Sequence, residues 1–261
     1  MNSSKTLLLL FCLLFALPAH CNSEDYEKGE KTKVNPSSLH PTQFLYGSLE
    51  VKAKMEAMQE IMADEGEEGV KEYLKENRGM VVIGPKGVMW LVDGHHHAKA
   101  LDSLRKTDSD FSDIQFYIKV EKVWDDLTQT EFEKAMKEGN KKGKKGEPPF
   151  VYLRDENGRM RSFSALPKKL SSMQDFPWRS LVWLLKEREV IETIEEIPFQ
   201  EFKLAEYLQK HMKLPETMSS KAYDRAVREA IPVLRKAPSK VLAGFELASK
   251  RVCDKILSKI Q

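Results

Sequence analysis

The spacing of apolar positions changes several times along the chain. Between residues 48 and 62, and again between 67 and 76, apolar side chains recur every three to four positions, which predicts two helices. Two short apolar runs follow at 80–83 and 88–92. They are joined by Gly-Pro-Lys-Gly at 84–87, a connection typical of a β-hairpin.

The later segments predict a mixed core followed by helices. A helix is expected over 95–104, an alternating strand over 114–120, and a helix over 128–138 that begins with a Thr-x-x-Glu capping box. A second hairpin is expected around the turn at 155–158. Four amphipathic helices are then predicted at 178–189, 199–212, 221–236 and 240–260. The predicted fold class is α+β, with a small mixed-sheet core over 41–168 and a C-terminal helical region over 169–261.

The first 40 residues carry no pattern of a packed core. Lys5 precedes an apolar run at 7–17 that is too short to span a bilayer, so residues 1–21 are predicted to be a signal peptide cleaved near Ala19. The mature chain is then exported to the periplasm or the medium, without an integral membrane segment. A short membrane anchor and a lipid on Cys21 remain alternatives. Residues 22–40 are polar and are expected to be a flexible leader.

Composition excludes several classes of protein. The chain has 42 basic and 40 acidic residues, a balance that argues against a histone-like coat for nucleic acid. Four lysines nevertheless lie between 141 and 145, in either a solvated loop or a loop that contacts phosphate. The cysteines at 12, 21 and 253 form no Cys-x-x-Cys pair, which excludes a cysteine-only zinc site. Whether Cys21 and Cys253 pair is left open.

The segment with the most chemistry follows the first hairpin, where Asp93 and Gly94 precede His95, His96 and His97. The start of a helix offers free backbone N–H groups to an anion. Asp93 can cap that helix, act as a base or, with His95 and His96, hold a divalent metal ion. Adjacent helical residues point about 100° apart. We therefore expect two histidines to face a pocket and one to be structural; the alternative is a turn with surface histidines.

This segment resembles the pocket motif of the ParB/sulfiredoxin superfamily, and in particular its ParB-like nuclease family. The matching segments, which span about 38–212 in the family's order, are 41–43 (PTQ), 46–54 (YGSLEVKAK), 81–101 (VVIGPKGVMWLVDGHHHAKAL), 175–183 (DFPWRSLVW) and 198–208 (PFQEFKLAEYL). The chain departs from the superfamily at His97, where arginine is usual, and at Gly94, where this family commonly has histidine. It lacks the loop cysteine of sulfiredoxins and a GERR-like box, so neither sulfinic-acid reduction nor CTP switching is expected.

The resemblance implies a set of site residues. Glu50 and Lys54, four apart on one helix, are placed beside the histidine segment, Glu50 as a base or metal ligand and Lys54 as a phosphate contact. Arg179 is implied as a phosphate ligand, although a helix salt bridge fits it equally well. The candidate catalytic residues are thus Asp93, His95, His96, His97 and Glu50, and the candidate binding residues are Lys54, Gly94 and Arg179. Gln43 is a looser candidate for contact with a ligand or with the histidine segment.

Three functions remain open at this point. The first is a secreted nuclease or phosphoesterase that acts on nucleic acid or a small phosphate ester, with a divalent metal ion as a possible cofactor. The second is a nucleotide-dependent phosphotransferase similar to the free-serine kinases of the superfamily, which export disfavours because ATP is scarce outside the cytosol. The third is a non-catalytic module that binds DNA or protein. The sequence predicts neither the substrate nor the oligomeric state.

Overall fold

The computed structural model describes residues 26–139, 148–215 and 219–259. The predicted signal peptide at 1–21 and the lysine-rich loop at 141–145 lie outside these residues. In the part of the chain that is described, no helix is both long enough and apolar enough to cross a membrane.

The elements follow one another in a mixed order. The strands are β1 (Lys31–Val34), β2 (His40–Pro41), β3 (Leu45–Tyr46), β4 (Gly79–Ile83), β5 (Met89–Asp93), β6 (Phe116–Val123), β7 (Gln174–Asp175), β8 (Ile191–Thr193) and β9 (Phe245–Leu247). The helices are α1 (Ser48–Glu76), α2 (His95–Thr107), α3 (Gln129–Glu138), α4 (Pro177–Glu187), α5 (Gln200–His211), α6 (Ser220–Leu234) and α7 (Lys250–Lys259). Short 3₁₀ turns lie between several of them.

The central sheet has five strands in the order β1-β6-β4-β5-β2. Strands β4 and β5 form the antiparallel hairpin predicted from the sequence, whereas β4 pairs with β6, and β2 with β5, in parallel. Strand β6 alternates as a half-buried strand should, with Phe116, Ile118 and Val120 fully buried. The sheet is therefore mixed, and the predicted α+β class is confirmed.

Helices and loops cover one face of this sheet and part of the other. On one face, α1 and α2 pack against a core that includes Val81, Leu91 and Ile118. On the other face, Val82 packs with Phe132 of α3 and with Phe163. Helix α3 begins with the predicted capping box, in which Thr128 and Glu131 satisfy each other's backbone N–H groups.

The C-terminal helices form a second core. Helices α4, α5 and α6 bury leucines such as Leu181, Leu185 and Leu208 against one another. This unit joins the first through β3 and β7, which pair in parallel with Leu45 opposite Gln174. The junction brings the start of α1 beside the start of α4, and this proximity builds the site described below.

Three segments differ from the sequence-based predictions. The two helices predicted over 48–62 and 67–76 are one helix, α1, with a kink where Gly66 has a φ of +70°. The predicted leader contains β1, an edge strand that was missed because only Val34 of its four residues is buried. The predicted helix over 240–260 begins only at Lys250, since Phe245–Leu247 instead pair with β8.

The second predicted hairpin is only partly formed. Arg154 and Met160 make an isolated antiparallel bridge around the turn, and Asp155 accepts hydrogen bonds from the backbone N–H groups of Asn157 and Arg159. Tyr152 instead bridges Gln43 in parallel. The first arm of the predicted hairpin is thus drawn toward the segment before α1.

Candidate active site

The site begins at the junction between β5 and α2. Gly94 is the N-cap of α2 and has a left-handed backbone, with φ +81° and ψ 16°. A Cβ at this position would stand 2.8 Å from the Cα of Gly79, so the two glycines let the chain turn against the neighbouring strand. Gly94 offers no capping side chain, and Asp93 Oδ1 accepts the N–H of Gly94 itself at 2.8 Å. The first turn of α2 therefore lacks a side-chain cap.

His95 holds the segment that precedes α1. Its Nε2 accepts a hydrogen bond from the backbone N–H of Thr42 at 3.3 Å, and the Thr42 hydroxyl donates to the carbonyl of Leu91 at 2.8 Å. The ring is 4% exposed. Burial lowers the pKa of His95 to about 3, so the ring is neutral at physiological pH. His95 is therefore a structural residue that joins β2 to β5 and α2.

His96 makes the equivalent contact with the start of α1. Its Nε2 accepts the backbone N–H of Gly47 at 3.1 Å, which places the ring proton on Nδ1. That nitrogen lies 3.6 Å from Oε2 of Glu50. Burial, followed by the charge of Arg179, lowers the pKa of His96 well below its ordinary value. His96 is thus a neutral neighbour of Glu50 without a hydrogen bond to it, and it is not a free ligand.

His97 faces the long helix instead. Its Nε2 lies 3.1 Å from the hydroxyl of Tyr73 on α1. Burial and the charge of Lys54 lower its pKa to about 4. We expected two histidines in a pocket and one in a structural role. All three line the cleft described below, but each also ties α2 to a neighbouring segment.

Replacing His95 with glutamine tests this structural role through pH. The unfolded chain binds a proton at His95 below about pH 6.5, whereas the folded chain does so only near pH 3, so acid favours unfolding across this interval. Each such histidine contributes about 1.4 kcal/mol per pH unit to this loss of stability. In the H95Q variant the amide oxygen can still accept the N–H of Thr42. Between pH 6.5 and 5, its free energy of unfolding in urea is expected to fall less steeply than that of the wild type. An unchanged slope would contradict the assignment.

A buried ionic network lies behind the histidines. Arg179, near the start of α4, places Nη2 3.0 Å from Oε2 of Glu50 and also pairs with Oε2 of Glu201 on α5. Lys186 lies 2.6 Å from the other oxygen of Glu201. Lys54 lies 3.6 Å from Glu50. The network therefore links α1, α4 and α5 at one point.

Arg179 is the most deeply buried member, with a side chain that is 5% exposed. Burial alone would lower the pKa of Arg179, but the carboxylates of Glu201 and Glu50 outweigh it and raise the pKa. Its Nε and Nη1 have no hydrogen-bond partner among the described residues. A buried donor left without a partner costs about 1–3 kcal/mol. An anion bound beside Arg179 would relieve this cost.

The network and the histidine segment open onto one cleft of about 1040 Å³. The described lining includes Asp93, Gly94 and Arg179, together with Glu195–Glu201 from the start of α5. Asp93 itself is exposed to solvent, although it is surrounded by the walls of the cleft. Loss of surrounding water, and then the carboxylates of Glu196 and Glu201, raise the pKa of Asp93. Its Oδ2 is thus available as a proton acceptor with increased basicity.

The predicted metal set does not assemble. Within residues 26–139, 148–215 and 219–259, no group of three His, Cys, Asp or Glu side chains has an arrangement that could hold a metal ion. His95 and His96 direct Nε2 to backbone N–H groups, and Asp93 uses one oxygen for Gly94. The set His95, His96 and Asp93 therefore does not fit a metal ion in this arrangement.

The other predicted residues are partly brought together. Glu50, Gly94 and Arg179 line the cleft, whereas Lys54 pairs with Glu50 and is not among the described residues that form the lining. Gln43 lines the cleft and donates to the carbonyl of Leu45 at 2.9 Å, not to the histidine segment. Glu201 was missed, although it lies within the Pro-Phe-Gln-Glu-Phe motif at 198–202. Its place in a segment that already resembles the family was the available signal.

The chain is similar to known proteins over most of its length. Residues 32–210 match a family model described as "Putative ParB-like nuclease". Protein Atu1540 from Agrobacterium tumefaciens, known from a crystal structure, is similar, with a TM-score of 0.59 and 25% identity over 80% of this chain and 93% of that one. None of the curated proteins searched matches the chain significantly. The family match covers the sheet, the histidine segment, α4 and α5, and the chain belongs to the ParB-like nuclease family.

Proposed function

We propose that the chain is a nuclease that hydrolyses phosphodiester bonds in the cleft between Asp93 and Arg179. The observation that carries this proposal is Arg179, a buried guanidinium with two N–H-bearing nitrogens that lack partners among the described residues. It lines the same cleft as the uncapped start of α2. Both features favour an anion, and the family's description supplies the class of anion.

The phosphate is proposed to lie at the start of α2. The backbone N–H groups of the first turn and the partial positive charge of the helix stabilise the nonbridging oxygens. Arg179 stabilises the additional charge of the pentacoordinate transition state, where a fixed cation contributes most. Glu50 and Glu201 hold the guanidinium in place from α1 and α5.

Asp93 is the proposed general base. Its Oδ2 accepts a proton from a water molecule, the water oxygen forms a bond to phosphorus, and the bond to the leaving oxygen breaks. The leaving oxygen takes a proton from solvent, so the products are a phosphomonoester and an alcohol. The raised pKa of Asp93 makes its carboxylate a stronger base than an ordinary aspartate.

The histidines act on this site indirectly in the proposal. His95 and His96 fix the two segments that carry Thr42 and Gly47. A divalent cation can accompany a nucleic-acid substrate, because carboxylates outnumber basic groups in the described lining. No protein ligand set for it is assigned, and no step depends on it.

The test is a digestion screen with fluorescent DNA and RNA, each with magnesium, with manganese and with EDTA. Hydrolysis is expected, and Asp93→Asn is expected to reduce kcat by about 100-fold or more, because the base is lost while the carboxamide retains the size of the side chain. Glu195→Gln is the matched control, because it changes a carboxylate of the same cleft that does not contribute to the raised pKa of Asp93. Equal activity in D93N and the wild type would reject Asp93 as the base.

Two other results would replace the proposal. Consumption of ATP with serine as acceptor, without hydrolysis of nucleic acid, would identify a phosphotransferase. The absence of both activities, with nucleic-acid binding retained, would identify a non-catalytic module.

A further inference from the structure

One face of β6 carries basic and aromatic side chains. Phe116, Ile118 and Val120 point into the core, so the intervening Tyr117 and Lys119 lie on the opposite face and are only half-buried. Strand β6 lies inside the sheet, between β1 and β4. Tyr117 and Lys119 therefore lie on the partly exposed face of an interior strand.

The neighbouring strand adds two further lysines to the same face. Lys33 lies directly opposite Tyr117, and Lys31 lies opposite Lys119. Side chains of directly opposed residues lie on one side of a sheet. Arg78, Lys75, Lys31, Lys33 and Tyr117 surround an open depression of about 420 Å³.

Much of this charge has no ion-pair partner among the described residues, although Lys33 contributes, after Lys71 and Lys75, to the lowered pKa of Glu68. Lys31, Lys33, Arg78 and Lys119 make no ion pair with another described residue, whereas Lys75 pairs with Glu72 at 2.8 Å. On an edge strand such as β1, lysines can be explained by the prevention of edge-to-edge pairing alone. That role does not account for Lys119 on the interior strand or for Arg78 before β4.

The depression leads into the cleft. Arg78 lines both, and Met80, which lies opposite Lys119 on β4, lines the cleft. Glu121, the next residue on this face of β6, also lines the cleft and is acidic. The unpaired basic groups therefore end at the mouth of the cleft and do not continue through it.

We propose that Lys31, Lys33, Arg78, Tyr117 and Lys119, here called the basic sheet face, bind single-stranded nucleic acid and lead it into the cleft. The inference rests on the proposed function and names the surface that holds the substrate. Lysine and arginine side chains follow the phosphates, and the tyrosine ring stacks with a base, which a single strand exposes and a duplex does not. DNA and RNA share this chemistry, and the test separates them.

The test measures binding of fluorescent single-stranded DNA and RNA by anisotropy at several salt concentrations, with Asp93→Asn in all chains to prevent cleavage. Lys31→Glu with Lys33→Glu is expected to weaken binding by about tenfold or more, and the slope of log K against log salt is expected to fall by about 0.7 for each lost contact. Tyr117→Leu is expected to weaken binding by roughly 5- to 150-fold, and Tyr117→Phe, which keeps the ring, by much less. Lys240→Glu with Lys250→Glu gives the same change in net charge elsewhere and should leave binding unchanged.

Failure of this inference is distinguishable from failure of the proposed function. If the reversal of Lys31 and Lys33 leaves oligonucleotide affinity unchanged, or if the chain binds anionic phosphatidylserine vesicles but no oligonucleotide, the basic sheet face is not a nucleic-acid surface. If these lysines control binding but the chain with Asp93 intact cleaves nothing, the inference stands and the proposed hydrolysis is wrong. Without the D93N change, the control chain with Lys240→Glu and Lys250→Glu should still hydrolyse a small diester such as bis(p-nitrophenyl) phosphate at the wild-type rate.

Discussion

Replacing Arg179 with methionine is expected to lower the free energy of unfolding by about 3–5 kcal/mol, because it leaves two carboxylates buried beside each other without their shared cation. Glu50 and Glu201 approach Arg179 from different helices, so their mutual repulsion would act on the packing of α1 and of α5 against α4. Because methionine retains much of the volume of arginine, the difference in the free energy of unfolding chiefly reflects the loss of the positive charge. Urea unfolding at pH 7 measures it.

A second substitution separates charge from packing. Glu50→Gln in the Arg179→Met background removes one of the stranded charges, and the double variant is expected to be more stable than R179M alone. Arg188→Met is the matched control, because Arg188 follows the same helix and makes an exposed pair with Asp224 at 3.0 Å. Its effect should be below about 1 kcal/mol. Equal effects at residues 179 and 188 would show that the buried network does not hold the helices together.

Replacing Gly94 with alanine is expected to be the second large effect, with a loss of about 2–5 kcal/mol. The left-handed backbone at Gly94 costs a residue with a Cβ about 1–2 kcal/mol. The new Cβ would also stand 2.8 Å from a backbone atom of Gly79, and relieving such overpacking costs about 1–3 kcal/mol more. Because backbone cannot rotate away as a side chain can, β4 and the start of α2 must separate.

Gly158 provides the control for this prediction. It also has a positive φ, +72°, but the nearest atom to an added Cβ is 4.0 Å away on the side chain of Glu206. Gly158→Ala should therefore show only the backbone strain, about 1–2 kcal/mol. If G94A is no more destabilising than G158A, the contact between Gly94 and Gly79 does not shape the site.

Local patterns predicted the elements that depend on local interactions. The hairpin of β4 and β5 followed from two apolar runs around Gly-Pro-Lys-Gly, and α3 followed from its capping box. Strand β1 was missed because its order comes from pairing with β6, 85 or so residues later, and its own side chains are mostly exposed. Strands β8 and β9 were missed for the same reason. They are short, and they pair with each other across the intervening helices.

The same distinction applies to the site. The turn at Asp93-Gly94 and the helix after it were predicted from the sequence, and the resemblance to a family placed Glu50 and Arg179 near them. The roles of the histidines could not be predicted from the sequence, because they depend on which backbone groups lie opposite each ring. The N–H groups of Thr42 and Gly47 approach His95 and His96 only after β2 and α1 have packed. The partnership of Arg179 with Glu201 likewise needs α4 and α5 side by side.

The pairing of structural histidines with an exposed aspartate changes which residue should matter most. The triple histidine is the most conspicuous feature of the sequence, yet its rings are neutral and two of them accept backbone hydrogen bonds. Asp93 is accessible, has a free oxygen and has a raised pKa. Loss of a histidine should thus appear first in stability, and loss of Asp93 first in turnover.

The most direct measurement is a time course of cleavage of a 5′-labelled single-stranded oligonucleotide by the wild type and by D93N, with both chains shown to unfold at the same urea concentration. The account predicts that the wild type shortens the oligonucleotide and that D93N does so about 100-fold more slowly or not at all. An intact oligonucleotide with the wild type, or equal rates for the two chains, would contradict it.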